Sequence, residues 1–329
     1  MHCLKWAFIS TVFLLSTFAF CSNAQDSTLN AAKQAFEKGE YRKVLTILEP
    51  AALKDSNNGD IQLLLAKAYL QTNQAEAAVK SAEKAVSISP NNSEYHDWLG
   101  QAYGEKASHA SVFSAYPLAR KTQKEFETAV KLDERNFDAT QNLIEYDCTA
   151  PSIVGGGEDK ARPLIQKLLS LDAAQGHYAE GNCRMQKKDF DGVDAEFTKA
   201  LESKPKSIDQ IREMVTFFAN RGQGDKVLLA ADAASMAAPG DPRIAFFRAV
   251  AWILKGQNIS ETEKNLREYL LLSSPRSDYP SPSSAHYWLG RLYEFQRNPS
   301  AARAEYETAL KLNPKNKNAQ DSLKKLGGN

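Results

Sequence analysis

Few routes to chemistry are open to this chain of 329 residues, which holds four cysteines, five histidines and no excess of either charge. Lys and Arg number 41 against 40 Asp and Glu. That balance argues against nucleic acid or an anionic membrane as a partner. No Gly-x-Ser-x-Gly elbow and no His-Glu-x-x-His pair occurs, so neither a hydrolase nucleophile nor a zinc protease is indicated. His109 and His177 are read as having no acidic or thiol partner at helical i, i+4 spacing, and no metal site or cofactor is expected. Beyond the N-terminus, no apolar run is long enough to span a bilayer.

The N-terminus is a separate unit. Lys5 precedes an apolar run from Trp6 to Phe20, and Ser22-Asn23-Ala24 offers a small-x-small cleavage site. Residues 1–24 therefore read as a secretory signal peptide, and the expected location is periplasmic or extracellular. An uncleaved leader is disfavoured because the run is short of a span. Lipidation of Cys21 is disfavoured because Phe20 precedes it, where a small residue is wanted. Removing the leader takes Lys5 alone among the charges and leaves Cys148 and Cys183 as the cysteines. In an oxidising compartment these two either form a disulfide or pack as free thiols, and the sequence leaves both open.

What the chain does have is recurrence. Trp98-Leu99-Gly100-Gln101-Ala102-Tyr103 returns as Trp288-Leu289-Gly290-Arg291-Leu292-Tyr293. Ala32, Ala66 and Gly100 follow one another at intervals of 34 residues, and Ala51, Ala85, Ala129, Ala200 and Ala309 supply small residues for a second set of helices. Such spacing suits helix hairpins, whose partners approach most closely where side chains are smallest. Gly39-Glu40-Tyr41, Lys188-Asp189-Phe190 and Asn298-Pro299 fall between paired helices. Ser89-Pro90, Lys204-Pro205 and Asn313-Pro314 fall between pairs, where Pro ends a helix.

With Ala302, Tyr306, Ala309 and Pro314 following Gly290, the chain resembles the tetratricopeptide-repeat family, most clearly over 31–136, 174–206 and 284–314. Its layout resembles exported bacterial members. The resemblance implies an all-α, right-handed superhelical solenoid of antiparallel helix pairs. We expect about eight repeats, at 27–58, 59–92, 93–136, 137–173, 174–206, 207–241, 242–280 and 281–314, within one domain spanning 25–329. A polar capping helix over 315–327 would close the open end.

Three breaks interrupt the pattern. The third repeat carries ten extra residues across 104–117, with Val112, Phe113 and Tyr116 as candidate anchors for a partner. The stretch from Ala150 to Asp159 holds three glycines, but no Gly-Lys-Ser/Thr follows, no strand precedes, and Glu158-Asp159 would repel phosphate. It reads as a long turn with acidic residues at a helix start. The polar, Pro-rich stretch 273–284 reads as a lengthened connector.

The resemblance also implies a non-catalytic scaffold, a monomer that binds a protein or peptide along a groove lined by first helices. Carried over in register, the groove positions are Lys67 and Gln71; Asp97, Gln101 and Glu105; Tyr178, Asn182 and Met185; and Tyr287, Arg291, Glu294 and Phe295. Asp97 and Glu105 stand where a basic carboxylate clamp would need cations, so that ligand is not expected. The alternative is a cradle for an envelope-polymer enzyme or regulator, which would need convergent ionisable groups that the sequence does not supply.

Overall fold

The computed structural model describes residues 27–272 and 279–327; the expected leader and the first half of the 273–284 connector lie outside the described residues. Among the described residues there are seventeen α-helices, one short 3-10 turn and no strand. In chain order the helices are α1 (27–37), α2 (Tyr41–Lys54), α3 (Gly59–Gln71), α4 (Ala75–Ile88), α5 (Ser93–Ser108), α6 (Val112–Leu132), α7 (Phe137–Thr149), α8 (Glu158–Leu171) and α9 (Ala173–Gln186). They continue as α10 (Phe190–Glu202), α11 (Ile208–Asn220), α12 (Gly224–Ala237), α13 (Arg243–Lys255), α14 (Ile259–Leu272), α15 (Pro282–Phe295), α16 (Pro299–Leu312) and α17 (Lys317–Gly327). These make eight successive helix pairs and a terminal helix. The fifth pair opens at Ala173, one residue ahead of its expected start, because Asp172 caps α9 by accepting from the Gln175 amide at 3.1 Å.

Local chemistry punctuates the pairs. Asn58, Asn92, Ser207, Ser281 and Asn298 each accept a backbone N–H from the first turn of the helix that follows. Within pairs, one residue of the turn takes a left-handed conformation: Gly39 (φ 72°), Asn73 (58°), Lys188 (58°), Gly222 (71°), Gly256 (65°) and Arg297 (57°). The next residue's N–H reaches back to the final turn of the helix, as in Gln74 to the Tyr69 carbonyl at 2.8 Å and Gln223 to that of Phe218 at 3.0 Å. A tight reversal of this kind holds the two helices antiparallel.

Packing then follows the small residues. A Cβ on Gly100 would lie 2.6 Å from the Phe126 ring, one on Gly181 2.5 Å from Phe197, and one on Gly290 2.4 Å from Tyr306. In each case an aromatic of the second helix lies against the bare backbone of the first, so only glycine fits.

The structure divides into two compact units. The first comprises 27–143 with 153–155, and the second 144–152 with 156–327. The glycine turn of the fourth pair is where the chain is shared out. Gln123 Nε2 donates to the Gly155 carbonyl at 2.8 Å within the first unit, and the Gly157 N–H donates to the Asp147 carbonyl at 2.8 Å within the second. Gly155 has φ of 103°, which a side chain would strain.

Within the second unit one apolar core runs from Tyr178 to Ala319. Leu323 and Leu326 of α17 pack against it, so α17 caps the unit with Lys324 and Lys325 in its last turn. Cys148 and Cys183 are joined as a disulfide between α7 and α9, with Cα atoms 5.4 Å apart. In the first unit the buried apolar residues fall into smaller groups, among them one around Leu48 and Ile61 and another around Leu99 and Tyr103.

The added residues of the third pair lengthen its helices and leave a short turn between them. Helix α6 has 21 residues against 14 in α16, its start set by Ser111, whose carbonyl accepts from Ser114 at 2.9 Å and Ala115 at 2.8 Å.

Candidate functional site: the face of the first helices

Residues one repeat apart on neighbouring first helices face one another, and the sequence places hydrogen-bonding groups there. In the first unit Tyr95 donates its hydroxyl to Asp60 at 2.7 Å, and Lys67 reaches Glu94 at 2.7 Å while lying 4.7 Å over the Trp98 ring. Asp97 is 3% exposed and accepts from Asn142 at 2.8 Å and Gln101 at 3.0 Å. Burial is the main influence on its carboxyl and pushes it up to about 6, against the two donors, which lower it.

The second unit continues the pattern. Tyr178 donates to Glu213, Gln210 to Gln175 at 2.9 Å, and Arg243 to Asp209 at 2.6 Å and Asp241 at 2.8 Å. Burial next to the Glu213 carboxylate drives the Tyr178 phenol far up. Arg291 donates to the Tyr287 hydroxyl at 3.1 Å.

Three of the residues carried into the groove thus serve the architecture. Asp97, Tyr178 and Tyr287 are buried and spend their polar atoms on neighbouring side chains. Each lies three residues before the small position, where the side chain turns inward. Lys67, Gln101, Glu105, Asn182, Met185, Arg291 and Glu294 are half-buried, and Gln71 and Phe295 are exposed. Val112, Phe113 and Tyr116 at the start of α6 are 84%, 93% and 46% exposed.

One reading of the histidines needs correction. His109 does have an acidic partner one helical turn away, with its Nε2 3.0 Å from Glu105. His177 finds its partner across the hairpin, 2.7 Å from Glu196, as His96 does with Glu125 at 2.6 Å and His286 with Glu305 at 2.6 Å. These pairs clip first helix to second in three repeats. No group of three His, Cys, Asp or Glu suited to a metal occurs among the described residues.

Two pockets open in the second unit. One of about 510 Å³ lies over α8, α9 and α10, but its cations are already matched: Lys187 and Arg162 with Glu158, Arg184 with Glu180 and Asp189, Lys199 with Glu196. The other, about 530 Å³, is lined by Met185 of α9, Phe190 of α10, Arg212, Glu213, Thr216, Phe217 and Asn220 of α11, and Arg221. Met185 alone of these was expected from sequence. The α11 residues were missed because the sixth repeat has no glycine in its first helix to set the register. Arg212, Thr216 and Asn220, four apart, are the polar stripe that marks the face.

Stacked helix pairs with an aromatic on a small residue define a helical repeat protein. A family model described as Tetratricopeptide repeat matches residues 35–102, and a second of the same description matches 283–316. The chain thus carries tetratricopeptide repeats over these two stretches, and such repeats generally serve as protein-interaction scaffolds. Among solved structures it is similar to a human IFIT1 dimer with PPP-AAAA, at 17% identity over 93% of this chain and 76% of that one, with a TM-score of 0.50. It is also similar to a thermophilic TPR protein of Thermus thermophilus, at 18% identity over 59% of this chain and 98% of that one, with a TM-score of 0.49. A further similar structure is a tetratricopeptide repeat protein of Parabacteroides merdae, at 11% identity over 93% and 100% of the two chains and a TM-score of 0.41. Among curated proteins none matches.

Proposed function

We propose that this protein is an exported, non-catalytic scaffold that binds a segment of a partner protein on the first-helix face of its second unit. The observation that carries the reading is the pocket beside α9 and α11, where Met185 and Phe217 form an apolar floor within a polar rim. A mixed surface of this kind suits an extended or helical peptide that inserts one apolar anchor. Export is supported by the leader-like pattern of residues 1–24 and by the Cys148–Cys183 bridge, since disulfides persist in oxidising compartments. The protein works as a monomer.

A second reading is favoured by one observation: Val112 and Phe113 stand almost fully exposed at the start of α6. There the lengthened helix would make the contact and the first-helix face would be architecture. A photo-crosslinkable side chain at Thr216, and separately at Phe113, distinguishes the two in intact cells. The proposal expects one defined partner captured from Thr216 and lost with Arg212→Glu. Capture from Phe113 alone would transfer the site to α6.

A further inference from the structure

The pocket beside α9 and α11 holds more information than its apolar floor. Among the described residues, the Arg212 Nε has no hydrogen-bond partner and the guanidinium meets the neighbouring Glu213 through Nη2 at a long 3.4 Å. That carboxylate is already the acceptor for the Tyr178 hydroxyl. The side chain is 29% exposed and its pairing with Glu213 is loose, so its terminal guanidinium nitrogens are open to a second carboxylate.

The second cation of the pocket, Arg221, lies 5.6 Å over the Phe217 ring. Its partner Asp191 is 3.2 Å away and 98% exposed, so that pair is screened and easily exchanged for another carboxylate. Two guanidinium groups therefore flank an apolar floor made by Met185, Phe190 and Phe217, of which Phe190 is 44% exposed. Guanidinium forks match carboxylates in geometry and charge.

From these placements we infer that the pocket takes an aromatic or large aliphatic side chain followed directly by an acidic residue, both from one peptide segment. The apolar side chain fills the floor, and the carboxylate accepts from Arg212, with Arg221 as the second donor. This deepens the proposed peptide-binding role and rests on it.

The test uses the full chain carrying carbon-13 at its methionine methyls, because Met185 reports on the pocket and Met236 on α12 serves as a reference. Acetylated, amidated hexapeptides are titrated in: Gly-Ser-Phe-Glu-Ser-Gly, its Phe-Lys counterpart and its Ala-Glu counterpart. The Phe-Glu peptide shifts the Met185 signal saturably and binds about tenfold more tightly than Phe-Lys, the size of one charge-assisted contact. The Ala-Glu peptide leaves Met185 unmoved, and Met236 stays still throughout. Arg212→Gln with Arg221→Gln abolishes the tenfold preference while Phe-Glu still shifts Met185. Equal affinity for Phe-Glu and Phe-Lys overturns the acidic specificity. A Met185 signal unmoved by millimolar Phe-Glu peptide overturns the pocket. If crosslinking from Thr216 still captures a partner in that case, the face binds by other contacts and only this inference falls; if it captures none, the broader role falls too.

Discussion

The third and last helix pairs carry the same six-residue motif and the same internal contacts, yet they present different faces. In both, a glycine admits an aromatic ring, Phe126 against Gly100 and Tyr306 against Gly290. In both, a histidine four residues earlier meets a glutamate on the second helix. A serine at the start of each first helix donates to the carbonyl of an alanine that closes the second: Ser93 to Ala129 at 2.8 Å and Ser283 to Ala309 at 2.7 Å. The asparagine capping the following helix then donates to that serine, Asn136 in one case and Asn316 in the other. They differ three residues before the glycine, where Asp97 stands in one and Tyr287 in the other, and in the length of the second helix. The motif therefore writes the inside of a pair, and the residues around it write the surface.

The shared inside gives the largest expected effects. Gly100→Val and Gly290→Val each force a branched side chain into an aromatic ring and should cost about 3 kcal/mol, read as a lower urea midpoint. A loss confined to one of the two would break the equivalence.

Asp97 separates the pairs. Its carboxyl is held at about 6 when folded, above its ordinary value of 3.8, so the folded chain binds that proton more readily. Its contribution to stability is therefore whole below about pH 4 and is lost as pH rises through about 6. Asp97→Asn should raise stability by about 2 kcal/mol at pH 7 and by little at pH 4, measured by thermal unfolding at both. Tyr287→Phe instead takes the acceptor from Arg291 and should cost about 1 kcal/mol.

Ser93→Ala and Ser283→Ala each remove one donor to a helix-end carbonyl and take a hydroxyl acceptor from the capping asparagine, Asn316 keeping a longer bond of 3.4 Å to the Ser283 carbonyl. Each should cost about 1 kcal/mol, and equal losses by denaturant titration would sharpen the comparison. The smallest effect is expected at the third pair's own addition: Phe113→Ser, at a side chain 93% exposed, should change stability by less than about 0.5 kcal/mol.

Much of this was legible in the residues because small side chains at close crossings have few substitutes. Ala32, Ala66, Gly100 and Gly290 mark first helices directly, and Ser89-Pro90 and Asn313-Pro314 mark where second helices end. The sixth and seventh repeats have no glycine in their first helices, so Arg212, Thr216 and Phe217 had no register to betray them. The partner of His177, Glu196, sits on the opposite helix, a relation that spacing along one helix does not reveal. Cys148 and Cys183 were visible as a pair of candidates, but their 5.4 Å approach depends on how α7 and α9 pack. Asp97 was read as a groove residue because its helical face is right; its burial depends on Asn142, 45 residues along the chain.

The central claim is that the partner contacts the first-helix face of the second unit. Amide hydrogen exchange of the protein with and without its captured partner tests this most directly. The account predicts slowed exchange through α9 and α11, centred on Met185 and Thr216, and no change at the start of α6. Slowed exchange over residues 109–117 with α9 and α11 unaffected would contradict it.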